Sequence, residues 1–214
     1  MTEDLEGSIA RAASDRGLAL DDVMIASLAA HARLVLTDNP RLHLTAIDPA
    51  EIVPRHIGES LDGAALLDPS ARGLLVDLGS GNGYPGLPIA ITRPGLRAVL
   101  VEASRKKAEF LRRAIDACAP ERATVLDHQV QRPADLGTLE PIEVLTLRAV
   151  GGWERILPRL VPCIAPSGRI LLWAGTEVER VRSRVAWRKL SVEARAPHPG
   201  RDASWIWTLR PASA

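Results

Sequence analysis

The pattern of apolar and polar positions changes character near residue 70. Residues 21–36 form a mostly apolar run behind a capping aspartate, which predicts one packed helix, ended by the Asp-Asn-Pro sequence at 38–40. Pro49 follows Asp48 as a proline follows a helix cap, which predicts a second helix from this point towards Leu61, although Pro54 is close enough to this start to shift it. Residues 1–70 are therefore predicted to form an all-helical lobe.

Short apolar runs then alternate with helical segments over residues 71–214. The run at 73–78 is continuous and bounded by glycines, as expected of a buried parallel strand. Further strands are predicted at 97–102, 122–127, 142–148 and 168–173, with helices at 85–92, 104–118, 152–163 and 176–186. This repetition predicts an α/β fold with a doubly wound parallel sheet. The tail predicts two more strands, antiparallel at one edge and joined by a turn near 197–200.

Composition and the N-terminal residues restrict the class of protein. The chain is 46% hydrophobic and 25% charged, which is typical of a globular protein. Its N-terminus is acidic where a signal peptide would be basic, and no apolar run is long enough to suggest a membrane helix. We therefore expect a cytoplasmic protein. The two cysteines lack metal-ligand spacing, and we expect no metal site.

Charge is divided unevenly along the chain. Residues 1–70 contain 5 Lys and Arg against 12 Asp and Glu, whereas residues 71–214 contain 22 against 14. A polyanionic substrate requires such a basic surface, although charge runs are more often solvated helix faces.

A glycine-rich turn follows the first predicted strand. In a doubly wound sheet the ligand lies beyond the carboxyl ends of the strands, where glycine lets the backbone approach it. The segment DLGSGNGYPG at residues 77–86 fits a dinucleotide-type G-x-G-x-x-G over 81–86 and a G-x-G-x-G over 79–83. The pattern alone does not choose between these two interpretations.

Neighbouring residues favour S-adenosylmethionine as the ligand. Asp77 would repel a dinucleotide pyrophosphate, but it could accept from the ammonium group of S-adenosylmethionine, directly or through water. Glu102 ends the second strand, where it can accept from ribose hydroxyls in either kind of site. Pro85 and Pro88 leave fewer amide donors than a pyrophosphate-binding helix requires. An NAD-dependent oxidoreductase is the weaker alternative.

Several further segments match one family. They are residues 77–88, with an unusual Pro-Gly-x-Pro ending, 100–111, the Leu-Arg-Ala sequence at 147–149, Asn39, LTAI at 44–47 and RHIGES at 55–60. In these segments the chain resembles the GidB (RsmG) family of small-subunit ribosomal RNA guanine-N7 methyltransferases. The resemblance covers about residues 20–175.

The resemblance implies a fold and a reaction. The implied fold is that of a class I S-adenosylmethionine-dependent methyltransferase, a Rossmann-like doubly wound sheet, preceded by a helical lobe. The implied reaction is methylation of a guanine N7 in small-subunit (16S) rRNA, with the RNA in a ribosomal particle as the expected partner. Guanine N7 carries a free lone pair, so its methylation needs alignment and exclusion of water rather than a general base.

The resemblance also implies roles for individual residues. Together with the glycine turn, the expected cofactor-binding residues are Asp77, Gly79, Ser80, Gly81, Gly83, Tyr84, Glu102, Val130, Gln131 and Arg148. Asn39 and Arg148 match polar residues that the family places near the transferred methyl group and the target base, and they are the expected catalytic residues. Arg148 could instead be an ordinary surface arginine at a strand end.

Several positions differ from the family pattern. Asp38 replaces a usual tryptophan, His43 an asparagine, Gln129 and Gln131 an arginine and a glutamate, and Ala174 a lysine, and one residue is missing between Thr45 and Glu51. These changes leave the glycine turn unaltered, so they affect substrate identity more than cofactor binding. A methyltransferase of another substrate and an S-adenosylmethionine-binding protein with a degenerate cleft are the alternatives.

Overall fold

A seven-stranded sheet forms the centre of the computed structural model, which describes residues 4–119, 121–198 and 203–212. The strands are β1 (Gly73–Leu78), β2 (Leu96–Val101), β3 (Ala123–Leu126), β4 (Ile142–Arg148), β5 (Ile164–Ala174), β6 (Leu190–Pro197) and β7 (Trp205–Pro211). Their order across the sheet is β3-β2-β1-β4-β5-β7-β6. Strands β1 to β5 are parallel, and β7 is antiparallel to both β5 and β6. The predicted parallel sheet with an antiparallel edge is confirmed; the turn predicted near 197–200 lies partly outside the described residues.

The strand order reverses between β1 and β4. In such sheets this switch point is where the loops after adjacent strands diverge and open a crevice. The loop after β1 is the glycine-rich turn, and the strand next to it, β4, ends at Arg148. The topology therefore brings two of the predicted site segments together.

Helices cover both faces of the sheet. The α-helices are α1 (Leu5–Ser14), α2 (Asp22–Leu42), α3 (Glu59–Ala65), α4 (Gly86–Thr92), α5 (Arg105–Cys118), α6 (Trp153–Leu160) and α7 (Glu177–Val181). Alternate residues of each strand face opposite ways, so Leu75 belongs to one apolar cluster, whereas Leu74 and Val76 belong to the other. In the part of the chain that the structure describes, no helix is long and apolar enough to cross a membrane.

The predicted end of α2 at residues 38–40 is wrong. The helix continues through Pro40 to Leu42 and ends at His43, whose φ is 49°. A proline cannot donate the helical hydrogen bond from its nitrogen and its ring crowds the carbonyl group four residues earlier, yet only two residues of α2 follow Pro40. The extra turn places Asn39 inside the helix, where its carbonyl oxygen accepts from the amide of His43 at 2.9 Å.

The single helix predicted from Pro49 is also wrong. The chain forms a 3-10 turn at Pro49–Glu51 and a π-helix at Ile52–Gly58 before α3 begins. The predicted cap is present, because Asp48 Oδ1 accepts from the amide of Ala50 at 2.8 Å. Pro54 has no amide hydrogen, so regular α-helical bonding is interrupted within the π-helix.

The helix predicted over 176–186 is shorter than expected. It comprises only α7, and a separate 3-10 turn follows at Val185–Lys189. The helix predicted over 152–163 likewise becomes α6 and a 3-10 turn at Val161–Cys163, where Pro162 cannot donate a helical hydrogen bond.

The N-terminal helices share one apolar cluster with a face of the sheet. Buried residues of α2 and α3, including Leu28 and Leu61, lie in the same cluster as Leu75 of β1 and Trp173 of β5. At Gly63 of α3 the approach is especially close, because a Cβ atom there would lie 2.6 Å from the ring of Trp173. The division of the chain at residue 70 remains a prediction.

This close approach makes Gly63→Ala a test of helix docking. We expect the substitution to lower the free energy of unfolding by about 1–3 kcal/mol, because the added methyl group overpacks a rigid aromatic contact. Urea unfolding without cofactor measures the effect. Gly151→Ala is the matched control, since a Cβ atom at Gly151 meets nothing within 4 Å. Equal stability of the two variants would contradict the packing described for α3.

Candidate active site

The glycine-rich turn adopts backbone conformations that favour glycine. Gly79, Gly81 and Gly83 have φ values of 68°, 54° and 91°. Glu102, immediately after β2, holds this turn, since its Oε2 accepts from the amide of Gly81 at 2.9 Å and its Oε1 accepts from the amide of Ser104 at 2.7 Å. The carboxylate predicted to face a ribose therefore also fixes the loop around which a ligand would bind.

A cleft of about 350 Å³ opens in front of this turn. Residues that follow β1, β2, β3 and β4 line it, as the switch-point topology predicts. The lining residues are Leu78, Gly79, Gly81, Val101, Glu102, Ala103, Lys107, His128, Gln129, Val130, Ala149, Val150, Gly151 and Ile156. Four of the predicted cofactor-binding residues are therefore on the cleft wall: Gly79, Gly81, Glu102 and Val130.

The cleft has a chemical character that fits a nucleoside bearing an amino acid. Val101, Val130 and Ile156 supply apolar surface for a planar base, and Glu102 supplies carboxylate oxygens for hydroxyl groups. The absence of Cβ atoms at the turn lets the backbone approach a ligand closely. The residues present thus fit S-adenosylmethionine.

Asp77 is buried behind the turn rather than on the cleft wall. Its Oδ1 accepts from the hydroxyl of Thr146 at 2.6 Å, and its Oδ2 has no hydrogen-bond partner among the described residues. Burial raises the pKa of Asp77 to about 6, and the hydrogen bond from Thr146 opposes this shift. Ser80 also faces inward, since its hydroxyl donates to the carbonyl oxygen of Asp77 at 2.9 Å.

Tyr84 lies between two histidines. Its ring stacks on His31 and His56, with centroid distances of 4.3 and 4.7 Å. The Nε2 of His31 lies 2.8 Å from the carbonyl oxygen of Asn82 and must donate to it, whereas burial lowers the pKa of His31 to about 4. A Cβ atom at Gly83 would lie 2.8 Å from that Nε2. Gly83 and Tyr84 therefore connect the turn to α2 and are absent from the cleft wall.

Arg148 points toward the N-terminal helices. Its guanidinium group donates to Glu59 Oε2 at 2.8 Å and to His56 Nδ1 at 2.9 Å. Glu59 is buried, and its Oε1 lies 3.1 Å from His198 Nε2 and 3.4 Å from the Nε of Arg55. The arginine is therefore held by its contacts and does not have the freedom of an ordinary surface side chain.

A chain of hydrogen bonds connects Arg148 with Asn39. A guanidinium group can only donate, so His56 Nδ1 accepts from Arg148 and the proton of a neutral ring is on Nε2. That nitrogen lies 2.8 Å from the hydroxyl oxygen of Thr45. The amide of Thr45 in turn donates to Asn39 Oδ1 at 2.8 Å. The two predicted catalytic residues thus belong to one network.

Sequence reasoning missed several residues of this site. Thr146 is the one hydroxyl residue in an apolar strand, and its register opposite Asp77 could have identified it. His31 is an isolated polar residue in the apolar run of α2, which was a weak signal. The contact of Glu59 with His198 spans most of the chain, and no local pattern indicates it. Gln131 lies outside the cleft and lines an adjacent cavity.

One family model and two related sequences have the same description. The model of the GidB family, described as rRNA small subunit methyltransferase G, matches residues 24–194. Proteins named ribosomal RNA small subunit methyltransferase G from Sorangium cellulosum and from a Roseiflexus species are each 38% identical to this chain. The first match covers 80% of this chain and 72% of the relative, and the second covers 81% and 76%.

Solved structures with low sequence identity share the fold. The mitomycin 7-O-methyltransferase MmcR superposes with a TM-score of 0.59 at 19% identity, over 88% of this chain and 66% of that one. Fibrillarin from Aeropyrum pernix, solved with natively bound S-adenosyl-L-methionine, gives 0.54 at 13% identity, over 72% and 73%. The fold is that of the class I methyltransferases, as predicted.

The buried carboxyl group of Asp77 predicts a pH-dependent stability. Its pKa rises from 3.8 to about 6 on folding, so the folded protein binds more protons between these values. The contribution of Asp77 to the free energy of unfolding is complete below pH 3.8 and is lost as the pH rises through 6. Asp77→Asn should therefore gain stability relative to the wild type over this window, by up to about 3 kcal/mol. Urea unfolding between pH 4 and pH 7 measures it, and a constant difference would contradict the shift.

The shifted pKa of His31 predicts the opposite dependence of stability on pH. Its pKa falls from 6.5 to about 4 on folding, so its contribution is complete above pH 6.5 and is lost as the pH falls through 4. His31→Gln removes this titration and retains an amide donor for Asn82. The stability of the variant relative to the wild type should rise by up to about 3 kcal/mol as the pH is lowered. A difference that grows toward neutral pH would show that His31 is charged in the folded protein.

Proposed function

The chain belongs to the GidB family, rRNA small subunit methyltransferase G, and from this membership we propose that it methylates a guanine N7 of small-subunit (16S) rRNA with S-adenosylmethionine as methyl donor. The family match extends over residues 24–194 and includes the glycine turn and the network around Arg148. The observation that carries the proposal is the cleft in front of the glycine turn, with Glu102 on its wall.

The cleft residues would bind the cofactor. The turn at Gly79 and Gly81 would approach the cofactor through backbone atoms. Glu102 would accept from the ribose hydroxyls of the cofactor, and Val130 would contact its adenine base. When bound, S-adenosylmethionine supplies an electrophilic methyl group. Gln131, Tyr84 and the buried Asp77 lie beside or behind this wall, and we propose that Tyr84 and Asp77 act by holding the turn in place.

Arg148 and Asn39 would act on the target base. Guanine N7 has no proton to remove, so the protein needs only to orient the base and exclude water. Arg148 is held by Glu59 and His56, and we propose that from this position its positive charge orients guanine through O6 while the N7 lone pair stays free. We propose that residues 1–70 form a lobe that contributes Asn39, His56 and Glu59 to this side of the site, and that residues 71–214 form the methyltransferase domain.

The substituted positions favour a second candidate, methylation of another substrate. Asp38, in place of the usual tryptophan, pairs with Arg113 of α5 at 2.6 Å, so it serves packing between helices. Ala174 is buried at the end of β5 and brings no cation to the site, and Gln129 on the cleft wall is neutral. These losses leave the cofactor cleft complete and weaken contacts to a polyanion.

The two lost cations lead us to propose an assembled ribosomal particle, rather than protein-free RNA, as the substrate. Contacts with a polyanion depend on the number of phosphates neutralised. With fewer cations beside the cleft, an RNA held in shape by ribosomal proteins would align better than a free stem-loop. Because such particles are assembled in the bacterial cytoplasm, we propose that the protein acts there.

Methyl transfer with labelled cofactor tests the proposed function. Radiolabelled S-adenosylmethionine is offered with small subunits that lack the modification, with protein-free rRNA and with unrelated proteins. We expect label at guanine N7 of the rRNA, with more from intact subunits than from free rRNA. Label only in protein or in a small molecule would reject the RNA substrate. Label at another RNA position would retain the enzyme class and reject the N7 specificity.

A further inference from the structure

Two exposed arginines of α6 lie beside the cofactor cleft. Arg155 and Arg159 are four residues apart on this helix, so they project from the same face. The opposite face of α6 is buried through Leu157 and Leu160. The loop before the helix contributes Gly151 to the cleft wall, and Arg155 is only four residues after Gly151 in the sequence.

A second cavity continues the cleft past these arginines. It has a volume of about 390 Å³ and is lined by Gln129, Gln131, Gly151, Gly152, Arg155, Ile156 and Arg159. Gln129, Gly151 and Ile156 also line the cofactor cleft, so the two spaces adjoin. Side-chain amides and guanidinium groups give this cavity hydrogen-bond donors, and none of the described residues that line it is a carboxylate.

A groove on the other side of the two arginines carries further positive charge. It is lined by Glu154, Arg155, Pro158, Arg159, Arg184, Ala186, Trp187 and Lys189. We call Arg155, Arg159, Arg184 and Lys189 the basic ridge. Trp187 connects the 3-10 turn at Val185–Lys189 with α6. Its indole Nε1 donates to the carbonyl oxygen of Glu154 at 2.8 Å, and its ring packs edge-on against Trp153.

Three of the four ridge cations have no ion pair with a carboxylate in the part of the chain that the structure describes. Arg155 has a distant ion pair, 3.9 Å from Glu154, whereas Arg159, Arg184 and Lys189 have none among residues 4–119, 121–198 and 203–212. By contrast, Arg112 and Arg113 of α5 contact carboxylates at 2.6 Å. An exposed cluster of cations with little neutralisation attracts a polyanion.

We propose that the basic ridge binds the phosphate backbone of the rRNA next to the target nucleotide. This inference rests on the proposed function, and it is supported by the position of Arg155 and Arg159 in a cavity that adjoins the cofactor cleft. Guanidinium groups bind phosphate oxygens through paired N–H donors. Such contacts position the RNA without reading its sequence. Gln129 and Gln131 line the same cavity as Arg155 and Arg159.

Removing charge from the ridge tests the inference. Arg155→Gln/Arg159→Gln should weaken binding of full-length 16S rRNA at least about tenfold at fixed salt, and should reduce the slope of log Kd against log salt concentration by about 1–2. Arg155→Lys/Arg159→Lys should retain the slope, because the charges remain. Calorimetry with S-adenosylhomocysteine and thermal denaturation should give wild-type values for both variants.

Arg72→Gln/Arg122→Gln is the matched control. It removes the same charge at the amino ends of β1 and β3, away from the cleft, and both residues are exposed and have no ion pair among the described residues. The control should bind rRNA with the wild-type salt slope. A ridge variant with wild-type affinity and slope, or a control that loses as much affinity as the ridge variant, would overturn the inference.

The same preparations separate this inference from the proposed function. Methyl transfer by the wild type, together with unaltered rRNA binding by the ridge variant, rejects the ridge and leaves the proposed function standing. If the wild type transfers no label to rRNA, the proposed function fails. The salt slopes then still decide whether the ridge binds RNA phosphates.

Discussion

The buried carboxylate of Glu59 is the point on which the site depends. It lies at the start of α3 and contacts Arg148 at the end of β4, Arg55 of the preceding π-helix and His198 after β6. Three separate parts of the chain therefore meet at one charged group. Desolvation offsets much of the attraction in such a pair, so its main effect is to fix geometry, whereas removal of one partner leaves an uncompensated charge.

The glycine turn is fixed in a similar way from several sides. Asp77 lies behind it, with Gly86 so close that a Cβ atom there would lie 2.5 Å from the Asp77 side chain. His31 contacts it from α2, and Glu102 accepts from its amide on the side of the cleft. Because the turn is held from both layers, the backbone that would face the cofactor is preorganised, which lowers the entropic cost of binding.

The elements that could be predicted from the sequence are those that a local pattern of residues determines. The strand at 73–78 was predicted with its observed bounds, since a continuous apolar run closed by glycines leaves few alternatives. The predicted end of α2 and the single helix from Pro49 were wrong. Pro54 indicated that the helix start could shift, but the π-helix that forms there, and the continuation of α2 past Pro40, depend on packing that no local pattern reveals. Likewise, the glycine turn and Glu102 were identifiable from strand ends, whereas the inward orientation of Tyr84 depends on two distant histidines. The functional roles assigned to these residues remain predictions.

Methyl transfer by Glu59→Gln shows whether this carboxylate positions Arg148. If Glu59 positions Arg148, kcat with small ribosomal subunits should fall at least about tenfold, while affinity for S-adenosylmethionine by calorimetry stays near the wild-type value. Combining it with Arg148→Lys should then add little further loss. Glu51→Gln is the matched control, since it removes only the exposed ion pair with Arg55 at 3.4 Å. An unchanged kcat for Glu59→Gln, in a protein that folds normally, would contradict the account.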